Sequence, residues 1–114
     1  MSAEVRAELA TAASGVEGIS CSPTYVQLTS IGQACVRLER QEFPDRFGAV
    51  VHWNVVVCLG QDMATAEAFF EQKVPALVAA LRPLMAIRSA TPQQLHLVDG
   101  TTVLAAFING FREE

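Results

Sequence analysis

The stretch that most constrains the fold is AVVHWNVVVCL, residues 49–59. It is rich in β-branched residues and free of Pro and Gly, so it reads as a strand. At a period of two, Val51, Trp53, Val55, Val57 and Leu59 share one face. Val50, His52, Asn54, Val56 and Cys58 share the other. Residues 34–42 alternate too, with Ala34, Val36 and Leu38 on one side and Arg37, Glu39 and Gln41 on the other. Between the two runs lies QEFPDRFG, residues 41–48, where Pro44-Asp45 and Phe47-Gly48 signal a turn. The spacing predicts an antiparallel hairpin with a turn of about six residues. A hairpin tip normally faces water, yet this one carries Phe43 and Phe47 around Asp45 and Arg46. Two phenylalanines there call for a covering surface.

The rest of the chain supplies helices for one face of that hairpin. Residues 3–14 read as a helix capped by Ser2, with Val5, Leu9 and Ala12 or Ala13 as its stripe and Gly15 and Gly18 ending it. Residues 19–30 read as a loop, with or without an edge strand at Tyr25–Leu28. After Gly60, Asp62 is an N-cap for a helix over 63–81, with Met63, Ala66, Phe70, Val74, Leu77 and Leu81 as its apolar stripe. Phe69, next to Phe70, falls at the margin of that stripe or under the first helix. Pro75 predicts either a kink or two helices. Residues 84–89 suggest a strand, Thr91-Pro92 a bend, and 95–98 a further extended piece. Asp99-Gly100 then turns the chain into a last strand over 101–111. The expected class is α+β: a mostly antiparallel sheet of two hairpins, with both helices on one face of a single domain spanning 1–114.

Charge and cysteine usage narrow the function. Only 18% of the 114 residues are charged, below the roughly 25% typical of soluble domains, which favours an oligomer or a bound partner. The net charge is −4 and the basic residues are scattered, so no nucleic-acid footprint stands out. No apolar run is long enough to span a bilayer, and the N-terminal stretch lacks the basic region of a signal peptide. Cys21, Cys35 and Cys58 are odd in number and lack CxxC spacing, so they read as reduced, mostly buried thiols made in a cytoplasm.

Candidate chemistry is sparse. His52, His96 and Cys58 offer three ligand types for zinc if their strands are neighbours. The plainer reading makes each histidine a partly exposed strand residue. Cys58 and His52 lie about 20 Å apart along one strand, so they cannot form a Cys-His pair directly. Glu39 and Glu42 read as solvated strand residues. No GxGxxG or P-loop occurs, so neither a catalytic residue nor a cofactor is expected. What remains is apolar surface: Phe43 and Phe47 at the tip, Val50 and Val56 on the less apolar strand face, and Phe107 and Phe111 on the last strand.

In order, the chain presents a short helix, the hairpin VRLERQEFPDRFGAVVHWNVVVCLG, the helix DMATAEAFFEQKVPALVAAL and the hairpin LHLVDGTTVLAAFINGFRE. In element order over nearly its whole length, it resembles the tail-terminator proteins of long-tailed bacteriophages, particularly those of actinobacterial hosts. The resemblance implies a mixed α/β virion protein whose copies form a hexameric ring. Such a ring caps the tail tube, stops its growth and offers a surface to a head-completion or connector protein. The implied partners are therefore itself, the tail tube protein and that connector, in the neck of the virion. The family has no catalytic residues to carry over. On this reading Phe43, Asp45, Arg46 and Phe47 are interface residues. Two alternatives stay open: a head-completion (stopper) ring protein, and a small metal- or ligand-binding enzyme using His52, His96 and Cys58.

Overall fold

The computed structural model describes residues 2–45 and 48–114. The elements are α1 (Ser2–Ser14), β1 (Ser20–Ser22), β2 (Gln33–Glu42), β3 (Val50–Gly60), α2 (Met63–Leu81), β4 (Ala86–His96) and β5 (Thr102–Glu113). The strands form one sheet in the order β1-β2-β3-β5-β4. All neighbours are antiparallel except β1 and β2. The class is α+β, as the alternation and helical stripes predict. The Ser2 cap rests on a side chain outside the described residues, as do Arg46 and Phe47.

The face of β3 bearing Val51, Trp53, Val55, Val57 and Leu59 is buried in the main core. Val5, Leu9 and Ala13 of α1 and Ala66, Val74, Leu77 and Leu81 of α2 pack onto it. Trp53 is fully buried, with Arg6 of α1 above its ring at 5.2 Å. Its indole N–H donates to Glu114 Oε2 at 2.9 Å. Phe69 and Phe70 both pack against this core, half-buried. Asp62 caps α2 by accepting from the Thr65 backbone N–H at 2.9 Å. Gly32 makes the tightest crossing, where the chain enters β2. Its φ is +89°, and a Cβ there would lie 2.1 Å from the Gly18 carbonyl oxygen.

Several expectations need correction. Of the two expectations for Pro75, the one with two helices falls: α2 runs as one helix through it. The donor that Pro75 lacks would have met the carbonyl of Glu71; both residues are on the exposed side, where water can satisfy that oxygen. β4 does not bend into two pieces at Thr91-Pro92 but runs unbroken from Ala86 to His96. It is an edge strand, and an edge tolerates a proline whose missing N–H faces solvent. The edge strand of the 19–30 segment is Ser20–Ser22, not Tyr25–Leu28. The register of β2 shifts between Leu38 and Arg40. Gln41 therefore pairs with Val51 and shares its face, instead of pointing the same way as Arg37.

The second sheet face is also less open than its composition suggests. Val56 is buried there with Leu28, Cys35, Cys58, Leu97, Val103 and Ala105, and Phe107 packs half-buried beside them. Leu28, only 1% exposed, comes from the irregular segment that crosses this face.

Candidate functional site

The bulge in β2 gathers polar groups on the uncovered half of the second face. Glu39 accepts a hydrogen bond from the Asn109 side-chain amide, which also donates to Asn54 Oδ1 at 2.9 Å. Arg40 holds Glu39 at 2.9 Å and Glu42 at 3.6 Å. His52, 5% exposed, sets Nε2 2.5 Å from Glu42 Oε1 and its ring 5.6 Å from that of Phe111. The hydrogen bond from His52, helped by the charge of Arg40, holds the Glu42 carboxyl below the usual carboxylate range. His52 Nδ1 is buried without a hydrogen-bond partner. With Nδ1 sealed and Nε2 committed to Glu42, the imidazole has no nitrogen free to meet a substrate. Its geometry is that of a prop for the hairpin end. Glu39 and Glu42 are exposed strand residues, as expected, and each also takes a side-chain partner, Asn109 and His52 respectively. Nothing local in the sequence announces the Glu39–Asn109 bond, which joins residues 70 apart.

The sequence-derived zinc trio does not assemble. β5 lies between β3 and β4. His52 pairs with Phe111 near one end of β5, and His96 pairs with Thr102 at the other. Nine residues of strand separate those positions, about 30 Å. His96 Nδ1 instead lies 3.0 Å from Thr102 Oγ1. Among the described residues no group of three His, Cys, Asp or Glu side chains is placed to hold a metal. Burial, with the nearby Cys35, pushes the Cys21 thiol up to about 12, and burial also raises that of Cys58, which makes these two poor nucleophiles.

The hairpin end itself is the most exposed apolar feature of this region. Phe43 is 68% exposed, against 37% for Phe111. Asp45 is exposed beside it, while Arg46 and Phe47 lie outside the described residues. Among the described residues, no helix is long and apolar enough to cross a membrane. No family model matches the chain, and neither does any curated protein.

Proposed function

We propose that this chain is a structural subunit of a long-tailed bacteriophage. Its copies form a ring, a hexamer on the pattern of the tail-terminator family, that caps the tail tube, ends its growth and receives the head connector. One observation carries the reading: Phe43 stands 68% exposed at a hairpin tip while most other large apolar side chains have been folded away. An aromatic anchor on a projecting tip suits a contact with a neighbouring protein. The order of helix, hairpin, helix and hairpin that underlies the family resemblance supports it as well. The low charged share, 18%, leaves surface for such contacts. The test is the mass and image of the purified protein. A closed ring with a mass several times the subunit's 12.3 kDa is expected in sedimentation equilibrium and electron microscopy. A monomer at all attainable concentrations contradicts the reading.

A further inference from the structure

One edge of the sheet is only partly taken. β1 pairs with β2 over Gln33–Cys35 alone. At the next residue the Arg6 side chain donates to the Val36 carbonyl at 3.1 Å. Among the described residues, no backbone group outside β3 bonds to residues 37–42. The opposite edge, β4, is guarded against strand pairing by Pro92 at its middle. The free part of β2 has no proline, and its Leu38 is 43% exposed. Because the Val36 carbonyl points away from β3, alternation turns the backbone groups of Leu38 outward too. The extra residue between Leu38 and Arg40 makes Gln41 the next to face the edge.

The free segment reads Arg37-Leu38-Glu39-Arg40-Gln41-Glu42. Laid antiparallel against itself, it sets Arg37 against Glu42, Leu38 against Gln41 and Glu39 against Arg40. Every charge then meets its opposite. A regular strand could not use that register. Residues facing each other across an antiparallel pair point to the same side of the sheet, so two identical strands match only residues an even number apart. Arg37 and Glu42 are five apart, and the bulge supplies the missing residue. Arg37, Arg40 and Glu42 pair with Asn54, His52 and Val50 on the second face, and Glu39 reaches Asn109 there. Leu38 and Gln41 pair with Trp53 and Val51 on the helix face. All three matches therefore join side chains on one side of the sheet. Arg37 makes no ion pair among the described residues; its guanidinium lies over the Tyr25 ring at 4.9 Å.

We propose that β2 of one copy pairs with β2 of a second copy, antiparallel across a two-fold axis between Glu39 and Arg40, so that one sheet runs through both. Leu38 and Gln41 exchange backbone hydrogen bonds across the axis, and an Arg37–Glu42 ion pair closes each end. Charged side chains guard an edge when the incoming edge carries the same sign; here the signs are opposite. The acids of the hairpin end do not oppose the contact. Glu42 meets Arg37, Asp45 lies past the paired segment, and Glu113 and Glu114 belong to the end of β5, two strands away. The contact is isologous and closes on itself, so it gives a dimer. It goes beyond the proposed function and does not depend on it, because a ring needs other surfaces.

The test uses the full-length protein and two charge reversals, Arg37→Glu and Glu42→Arg, with circular dichroism melts to check each fold. In sedimentation velocity, wild type on dilution passes through a species of two subunits before the monomer. Each variant alone sets like charges together at both ends of the contact, and its dimer is expected to weaken about tenfold. Mixed one to one, the variants restore opposite charges at both ends, and a heterodimer of wild-type strength is expected. Glu42→Arg gives up the bond to His52. Should it fail to fold, hydrogen exchange of the wild type decides: the Leu38 and Gln41 amides slow above the dimer's dissociation constant, while β4 does not change. Protection of β4 together with β2 would make another copy's β4 the occupant and overturn the pairing. Variants that dimerise like wild type, or a mixture that stays monomeric, overturn it too. A ring that falls apart directly to monomers overturns the pairing and leaves the proposed function standing. A dimer and nothing larger upholds the pairing and contradicts the ring. If wild type is monomeric throughout, both fall.

Discussion

Replacing Trp53 probes the joint between sheet, α1 and the end of β5. The ring is fully buried, Arg6 lies over it at 5.2 Å, and its N–H donates to Glu114 at 2.9 Å. Trp53→Ala removes all three contacts and leaves a cavity, so the expected loss is about 3–5 kcal/mol. Against a typical total of about 5–15 kcal/mol, that is a large fraction. Trp53→Phe keeps most of the packing but removes the donor to a carboxylate. The Glu114 side chain is only 18% exposed, and its other charged neighbour, Arg112, is 4.0 Å away. The hydrogen bond to the charged group then sets the loss, about 1.5–3 kcal/mol. Glu114→Ala removes the same bond from the other side, so the double variant Trp53→Phe with Glu114→Ala should fall short of the sum of the two single losses. Urea unfolding at neutral pH, followed by circular dichroism, measures the four variants against wild type. A loss below about 1 kcal/mol for Trp53→Ala, or strict additivity in the cycle, refutes this account of the core.

Gly32→Ala should lower the melting temperature markedly, because the new Cβ would meet the Gly18 carbonyl and φ is +89°; an unchanged melt would show that the crossing relaxes freely. Glu42 is held below its ordinary range by His52 and Arg40. Its contribution is therefore complete above the unfolded value, about pH 4.3, and fades as pH falls through the lower folded value. Glu42→Gln should flatten the acid limb of urea midpoint against pH, and an unaltered limb would mean that the pair does not act in solution. Cys35 and Cys58 are buried, so both thiols should resist an aromatic disulfide reagent at pH 8 until the protein unfolds; rapid labelling of more than one thiol per chain in the native protein would contradict their burial.

Local chemistry made the central hairpin readable. The run from Val50 to Leu59 alternates cleanly, Pro44 and Gly48 bracket its turn, and Asp62 announces α2. Asp99-Gly100 likewise marks the β4–β5 connection, where Gly100 has a φ of +87°. Strand order was less accessible. The seating of β5 between β3 and β4 depends on pairs such as Val55 with Ile108, set by shared apolar faces far apart in sequence. Bulges hid the rest: the extra residue in β2 turns Gln41 to the Trp53 face, and no period-two pattern foretells where such a residue sits. Leu28 shows the same limit, since an irregular segment can bury a side chain without any periodic signal. For the candidate site, Phe43 was legible as an aromatic in a turn. The Glu39–Asn109 bond and the exposure of Met63, which the stripe of α2 placed in the core, were not, because each depends on elements that meet only in the folded sheet.

The claim that this chain ends tail growth is tested most directly by tail length. A phage genome carrying the gene, with the gene deleted and supplied again from a plasmid, is grown and its lysate imaged by electron microscopy. The account predicts tails of widely varying length that do not join heads in the deletion, with uniform headed tails restored by the wild-type protein. Tails of normal, uniform length in the deletion would contradict it, whether or not heads are attached.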